Sequence, residues 1–347
     1  MSTPLDALVS VDALRTFLAE AIPDASAEQE LEIERHQAGH SNETFFLRFG
    51  KRDLVLRRPP LGAFLPSAHD VVREYRVLSA LGPTEVRAPR TIASCEDGSV
   101  IGAPFYLMER MHGDVIRDSL PSRFDVGERA RIGQELIDSL VELHAVDVKL
   151  AGLEGFGRPD GYLARQLKRW TGQMELTLPH TRPIPDLVAV GEWLATELPE
   201  SGPSTLVHGD YKLDNVMFAP VLPARLNAIL DWEMSTLGDP LADLGWLISF
   251  WREPGDAAGS IFSDTTRVTE MEGFSSRDEL VSRYQDATGR DVDGLDWYRV
   301  LAIWKLAILL EGSYARHLAG MTDDPFFAKM ESGVPELASI ALDLAKG

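Results

Sequence analysis

The run from His208 to Asn215, His-Gly-Asp-Tyr-Lys-Leu-Asp-Asn, carries side chains whose types and spacing could do chemistry. Asp210 lies five positions before Asn215, and Asp231 ends an apolar run sixteen positions after Asn215. Carboxylate and amide oxygens are ligands that Mg²⁺ accepts, and a further carboxylate can orient and deprotonate an acceptor hydroxyl. The pattern therefore predicts phosphoryl transfer from ATP, with Asp210 as the catalytic base and with Asn215 and Asp231 as the metal ligands.

The residues around this run predict how its side chains come together. Lys212 follows Asp210 by two positions, so its ammonium can reach the transferring phosphoryl group and offset the charge that develops there. Two short apolar stretches, Val216–Phe218 and residues 228–230, flank a proline-containing turn and predict a β-hairpin. This hairpin would return Asp231 to the side of the loop. A plain polar loop is the alternative, and the register of the three oxygen-bearing residues argues against it.

These motifs resemble the catalytic core of the aminoglycoside phosphotransferase-like branch of the protein-kinase-like fold. In that branch His-Gly-Asp, here residues 208–210, replaces the His-Arg-Asp of protein kinases. The run Ile-Leu-Asp-Trp-Glu at 229–233 matches the element that replaces Asp-Phe-Gly, and Gly-Asp-Pro-Leu-Ala-Asp-Leu at 238–244 matches a further family motif. The resemblance implies ATP and Mg²⁺ as cofactors, with GTP as an alternative nucleotide.

The resemblance also assigns supporting roles. It implies that His208, Asp239 and Asp243 are structural, with Asp243 accepting hydrogen bonds from the catalytic loop and Asp239 capping a turn. Residues 161–170 are most similar to the kinase-like domains associated with acyl-CoA dehydrogenases and to their stand-alone bacterial relatives. The likeness extends from about residue 37 to about residue 320.

The elements that must position these residues fall into two groups. Strand signals at 37–49, 53–57 and 100–108 surround a helical pattern at 71–81, which predicts a small strand-rich N-terminal lobe, residues 1–108. A larger, mainly helical C-terminal lobe is predicted for residues 109–347. The expected fold is thus α+β, a bilobal protein-kinase-like fold with the nucleotide cleft between the lobes. Predicted helices lie at 11–21 in the first lobe and at 131–144, 161–174, 186–198, 243–251, 276–288, 297–318 and 335–344 in the second.

The turn at residues 37–44 resembles the loop with which the family covers the phosphates. Gly39 allows close backbone approach, and Ser41 and Asn42 can donate hydrogen bonds to phosphate oxygens. Since the turn contains a single glycine, an ordinary β-turn remains an alternative.

Arg57 ends a strand at the place where protein kinases have the lysine that holds the α- and β-phosphates. A guanidinium is always charged and can bind phosphate bidentately, so Arg57 paired with Glu74 is expected to fill that role. A surface ion pair of little energetic worth is the alternative. At the predicted hinge, Met108, Glu109 and Met111 are expected to hold the adenine ring, although the methionines could equally fill core.

Composition excludes several classes of partner. The 347 residues are 44% hydrophobic and 25% charged, which is ordinary for a globular protein. The net charge of −20 argues against binding nucleic acid or an anionic membrane surface. The single cysteine, Cys95, excludes an internal disulfide, and the first residues lack the pattern of a signal peptide. A cytoplasmic protein whose partner is a small hydroxyl compound is expected, without nucleic-acid or membrane partners.

The acceptor is the least determined part of the prediction. Arg165, Lys168 and Arg169 recur at helical spacing and are candidates to bind an anionic or CoA-linked substrate, whereas a solvated cationic face is the plain alternative. An acidic protein could instead attract cationic aminoglycosides. A catalytically silent nucleotide-binding scaffold also stays open. A protein kinase is disfavoured, because only eight positions separate Asp231 from Asp239, too few for an activation segment.

Overall fold

The computed structural model describes residues 8–36, 42–60, 70–256, 267–322 and 324–347. A five-stranded antiparallel sheet occupies the N-terminal part, and helices dominate the remainder, so the predicted α+β, protein-kinase-like fold is confirmed. The sheet has the strand order β1-β2-β3-β5-β4. Its strands are β1 Leu31–His36, β2 Glu43–Phe49, β3 Arg52–Arg58, β4 Thr91–Cys95 and β5 Phe105–Glu109.

Successive side chains of a strand point to opposite faces of the sheet, so one face packs into the core and the other faces the cleft. On β3, Leu54 and Leu56 pack into the core that the sheet shares with helix α1 (Val11–Ala21). Val55 and Arg57 therefore point to the opposite face of the same strand. This alternation is the reason that Arg57 emerges on the side that faces the C-terminal lobe.

Helix α2 (Val71–Leu81) follows the predicted bounds and is fastened to the C-terminal lobe. Asp70 caps its first turn by accepting a hydrogen bond from the Arg73 backbone N–H at 2.9 Å. The Arg73 guanidinium donates to the carbonyl of Phe156 at 2.7 Å and to that of Ser235 at 2.8 Å. These bonds hold α2 against the lobe that carries the catalytic loop, with Glu74 on the buried side of the helix.

Two sequence predictions need correction. The strand pair predicted over residues 100–108, broken at Pro104, is instead a turn followed by the single strand β5, which pairs with β3 on one side and with β4 on the other. Asp97 accepts a hydrogen bond from the Ser99 backbone N–H at 2.8 Å and Gly102 has φ +82°, so this stretch bends rather than extends. The last helix begins before Pro335, at Met330.

Pro335 is accommodated inside this last helix by a side chain from elsewhere. Proline lacks the backbone N–H that would bond the carbonyl four residues earlier, that of Glu331. Arg182 donates to the Glu331 carbonyl and, at 2.6 Å, to that of Met330. The carbonyl that proline leaves unpaired is thereby satisfied, which allows the helix to continue through it.

The C-terminal lobe packs its helices around one continuous apolar core. Within the residues that the structure describes, none of the helices combines the length and the apolar character that crossing a bilayer requires. Its helices are α3 Val126–His144, α4 Tyr162–Thr177, α5 Pro185–Thr196, α6 Leu241–Phe250, α7 Arg277–Thr288, α8 Leu295–Leu318 and α9 Met330–Lys346.

Four short strands frame the predicted catalytic loop, residues 208–215. Strand β6 (Thr205–Val207) pairs antiparallel with β9 (Thr236–Gly238). In the stretch of sequence between these two strands, β7 (Val216–Phe218) pairs with β8 (Leu226–Ile229), so the predicted hairpin is confirmed. The loop that follows β6 and the segment that follows β8 therefore return to the same place.

Candidate active site

The loop after β6 turns sharply at Gly209, whose φ is +85°. A Cβ atom there would meet the Met234 carbonyl oxygen at 2.6 Å, so the position requires glycine. The buried His208 ring accepts a hydrogen bond from the Asp210 backbone N–H at 3.3 Å and donates from Nε2 to the Leu230 carbonyl at 2.8 Å. This pairing corresponds to a neutral imidazole protonated on Nε2.

Asp243 supports the loop from beneath, and the hydrogen bonds predicted for it are present. Its two carboxylate oxygens accept the backbone N–H groups of His208 at 2.6 Å and of Gly209 at 2.7 Å. His144 Nε2 lies 3.3 Å from the same carboxylate. Burial alone would raise the pKa of Asp243, but the hydrogen bonds from the His144 ring and from the His208 backbone N–H lower it below its ordinary value.

Asp239 also has the structural surroundings that the sequence predicted. One carboxylate oxygen accepts the backbone N–H of Leu241 at 3.0 Å, at the start of α6. The other accepts the hydroxyl of Tyr298 at 2.8 Å, which ties α6 to α8.

Asp210 follows Gly209 in this loop, with its carboxylate partly buried and held on one side. Its Oδ2 accepts a hydrogen bond from Asn215 Nδ2 at 2.6 Å, and the Lys212 ammonium lies 3.9 Å from Oδ1. Burial raises the pKa of Asp210, while the charges of Lys212 and Lys305 oppose the rise. Burial opposes charge on Lys212 too, yet Asp210 and Asp214 raise its pKa. The Asp210 carboxyl group and the Lys212 ammonium therefore lie side by side, an arrangement that phosphoryl transfer could use.

Asp231 is held near this loop by the hydrogen bonds of the preceding residue, Leu230. The Leu230 backbone N–H donates to the Asn215 carbonyl at 2.8 Å, while its carbonyl accepts the His208 ring. Leu230 is thus bonded to both ends of the catalytic loop. Asp231 has φ +64°, a left-handed conformation that is costly for a residue other than glycine and is typical of functional sites.

Arg57 bridges the two lobes at the same place. Its guanidinium lies 3.2 Å from Glu74 Oε1 and 3.4 Å from Asp231 Oδ1. Although burial opposes it, the charges of Glu74 and Asp231 raise the pKa of Arg57, so the guanidinium stays charged. The Arg57–Glu74 pair is nearly enclosed, with side-chain exposures of 11% and 1%, and is not a surface ion pair.

Asn42 is the described member of the expected phosphate-covering turn, and Gly39 and Ser41 lie outside the described residues. Its amide nitrogen and oxygen are both buried, and neither has a hydrogen-bond partner within the described part of the chain. Because buried amides are nearly always paired, such a group fits a site that a ligand completes.

The hinge offers fewer backbone groups than the sequence suggested. The N–H of Glu109 donates to Arg90 and that of Arg110 donates to Asp53. Within the described part of the chain the Met111 N–H donates no backbone hydrogen bond, which leaves it for an adenine edge. Met108 is buried opposite Val55 in the β3–β5 pair and belongs to the larger apolar core.

The three cations predicted to bind substrate all lie on α4, where their surroundings differ. Arg165 donates to the carbonyls of Asp160 and Arg158, and Lys168 is exposed. Arg169 instead lies over the Trp170 ring, with 5.2 Å between guanidinium and ring centre. Burial and the charge of Arg169 both lower the pKa of Lys305, whose ammonium contacts the Gly209 carbonyl.

Lys305 is a residue of this site that the motifs did not reveal. It lies in the middle of α8, and its ammonium donates to the Gly209 carbonyl at 2.8 Å. The only signal in the sequence was a single lysine within the apolar run 300–310.

The side-chain oxygen atoms of this site are suited to bind a hard divalent cation together with a nucleotide. Asn215 gives its amide nitrogen to Asp210, which leaves its amide oxygen for a metal. Asp231 adds a carboxylate that is about one-third exposed. Two protein oxygens completed by phosphate oxygens and water form the usual coordination of Mg²⁺.

Comparison with known proteins agrees with this geometry. A family model described as the phosphotransferase enzyme family matches residues 32–301. Acyl-CoA dehydrogenase family member 11 of Rattus norvegicus is 34% identical over 343 residues, covering 97% of this chain and 43% of the relative. The chain therefore spans less than half the length of that relative.

Solved structures show the same fold. A Ralstonia eutropha protein assigned as an aminoglycoside phosphotransferase is 32% identical with a TM-score of 0.83, covering 97% of this chain and 98% of that one. Aminoglycoside 2'-phosphotransferase-IIIa, solved with GDP, is 16% identical with a TM-score of 0.63, covering 94% and 98%, and supports the fold alone. The family resemblance predicted from the motifs is confirmed, and the chain belongs to the phosphotransferase enzyme family.

Proposed function

We propose that this protein transfers the γ-phosphoryl group of ATP to a hydroxyl of a small molecule. The observation that carries the proposal is the position of Leu230, which is hydrogen-bonded to both His208 and Asn215. It holds Asp231 beside Asp210 and Asn215, so that a base and two metal-ligand candidates share one cleft.

Asp210 is the group that handles the proton. Its Oδ2 is engaged by Asn215, which fixes the carboxylate plane and leaves Oδ1 toward Lys212 and the open side. An acceptor hydroxyl placed there would donate its proton to Asp210 as it attacks. Lys212 would offset charge on the transferring group, and transfer would occur in line without a covalent enzyme intermediate.

The nucleotide would lie between the lobes. Arg57 and Asn42 are suited to phosphate oxygens, and the Met111 N–H is suited to the adenine edge. Asn215 and Asp231 would hold Mg²⁺, which when bound neutralises phosphate charge. Arg57 replaces the lysine of protein kinases with a fork that can contact Glu74 and a phosphate together.

For the acceptor we propose an anionic, CoA-linked hydroxy compound. Lys212 places positive charge beside Asp210, and the charge of Arg169 acts on Lys305 beneath the same loop, despite the overall net charge of −20. Relatives that match this chain over most of its length carry acyl-CoA dehydrogenase in their names, and a hydroxyacyl-CoA is the related alcohol. A cationic aminoglycoside is the competing acceptor.

A coupled assay of ADP release tests the proposal. Hydroxyacyl-CoAs, aminoglycosides and simple sugars are offered separately with Mg·ATP to the wild type, to Asp210→Asn and to the exposed control Asp343→Asn. We expect ADP release that depends on a hydroxyacyl-CoA and is lost in Asp210→Asn only. Release with aminoglycosides alone would replace the proposed acceptor. Full activity in Asp210→Asn would remove Asp210 from the role of base.

A further inference from the structure

Lys305 is a charged side chain enclosed within the helical lobe. It lies on α8 with 9% of its surface exposed, among residues that are mostly apolar. Its ammonium donates to the carbonyl of Gly209, which precedes the catalytic Asp210. A lysine head normally reaches water, so its position beneath the catalytic loop needs a reason.

Aromatic rings surround the ammonium. It lies 4.2 Å from the ring centre of Trp246 and 5.7 Å from that of Trp170. A cavity of about 20 Å³ adjoins it, which is enough for roughly one water molecule. The cation–π contacts stabilise the charge without taking up its N–H donors. The ammonium is therefore aimed at the carbonyl by its surroundings.

The carbonyl that Lys305 holds belongs to the peptide unit joining Gly209 to Asp210. The N–H of that same unit donates to the His208 ring at 3.3 Å. Both polar ends of one peptide plane are consequently fixed, one by each side chain. Because Gly209 lacks a Cβ and adopts positive φ, this plane would otherwise rotate at little cost.

Packing alone does not explain why a charged side chain occupies this buried position. Burial lowers the pKa of Lys305 to about 8, although Asp210 and Asp243 oppose the change. Arg169 and Lys212 also face it and add repulsion. A methionine would fill much the same space without the desolvation cost.

We propose that Lys305 is a positioning residue for phosphoryl transfer, holding the Gly209 carbonyl so that the Asp210 carboxylate faces the acceptor. The proposal rests on the proposed function for its catalytic consequence. Its structural content is separate: loss of the ammonium frees one peptide plane and leaves the nucleotide-binding residues in place.

Removal and replacement of the ammonium test this directly. Lys305→Ala truncates the side chain beside Trp170 and Trp246, leaving a space into which n-propylammonium can bind, whereas n-propanol supplies the same shape without charge. Leu301→Ala, which lines the same cavity, is the matched control for lost packing. Lys305→Met serves as a second variant that retains volume if Lys305→Ala does not fold.

Hydrogen exchange of the segment 208–211 is the first readout, since it requires no acceptor. We expect exchange there to accelerate about tenfold or more in Lys305→Ala and to be restored more by propylammonium than by propanol, whose hydroxyl can also donate but carries no charge. Unchanged exchange, or equal acceleration in Leu301→Ala, would each overturn the proposal.

Turnover is the second readout, measured as ADP release from Mg·ATP with a hydroxyacyl-CoA. Misplacing a catalytic group by about 1 Å can cost on the order of 10²-fold, so we expect kcat to fall by that factor while KM for ATP stays within threefold. A wild type without turnover would defeat the proposed function, whereas the exchange result would still decide the position of Lys305. A raised KM with unchanged kcat would contradict a positioning role.

Discussion

The Arg57 guanidinium and the Asp231 carboxylate lie 3.4 Å apart, although 174 positions separate them in the sequence. The other side of the same guanidinium contacts Glu74 on α2. One arginine fork thus joins a strand and a helix of the N-terminal lobe to a metal-ligand candidate of the C-terminal lobe. The lysine–glutamate pair of protein kinases is extended here by a third partner, which a single ammonium would hold less firmly.

Arg57→Met should destabilise the fold and weaken nucleotide binding together. The substitution leaves Glu74 buried without its partner, which typically costs about 3–5 kcal/mol. We expect a corresponding loss in the free energy of unfolding, and at least a tenfold weaker affinity for Mg·ATP by isothermal titration. Arg57→Lys should recover part of the stability and less of the affinity. Wild-type values for Arg57→Met would show that the bridge has neither role.

Arg73→Met should loosen α2 without unfolding the protein. Arg73 donates to the carbonyls of Phe156 and Ser235 and also lies over the Phe156 ring at 3.8 Å. Arg76, one turn later, lies over the same ring at 5.9 Å and provides the control. We expect faster hydrogen exchange in α2 and a several-fold weaker affinity for Mg·ATP in Arg73→Met only. Equal effects in Arg76→Met would assign the result to lost ring contact.

Asp243→Asn should disturb the catalytic loop from beneath. The amide nitrogen would face the backbone N–H of His208 or Gly209, so a donor would oppose a donor. We expect a loss of roughly 3 kcal/mol in the free energy of unfolding. Denaturant titration against Asp343→Asn measures it, and equal midpoints for the two variants would contradict the bracing role.

The lowered pKa of Lys305 predicts that the stability of the protein depends on pH. Its pKa is about 8 in the folded protein and 10.5 ordinarily, so between these values the unfolded chain binds more protons. Stability therefore rises with pH across this window, by on the order of 3 kcal/mol, and the full cost of the buried charge is present below pH 8. Lys305→Met should be at least as stable as the wild type at pH 7. The wild type should gain relative to it between pH 8 and 10.5, as followed by denaturant titration, and a constant difference would refute the assignment.

The sequence predicted those parts of the molecule that depend on local pattern. Helices α1 and α2 have the predicted bounds because their apolar residues recur at helical spacing. The hairpin before Asp231 was equally visible as two apolar stretches around a turn. The catalytic motif could be read because its members lie within one short loop.

Contacts between distant segments could not be read in the same way. Arg182 satisfies the carbonyl that Pro335 leaves unpaired, so a proline that marks a helix start by local rules lies within the helix. Lys305 looked like an interruption of an apolar helix, because its partner Gly209 lies 96 positions away. The spacing of Arg165 and Arg169 did not show which neighbouring groups each would contact, the carbonyl of Asp160 for Arg165 and the ring of Trp170 for Arg169.

The central claim is that Asn215 and Asp231 hold a divalent cation beside Asp210, and metal-dependent nucleotide binding tests it most directly. ATP is titrated calorimetrically with and without Mg²⁺ into the wild type, Asp231→Asn and the control Asp343→Asn. We predict tighter binding with Mg²⁺ in the wild type and the control, and loss of that gain in Asp231→Asn. Equal affinity with and without Mg²⁺ in the wild type, or an undiminished gain in Asp231→Asn, would contradict the account.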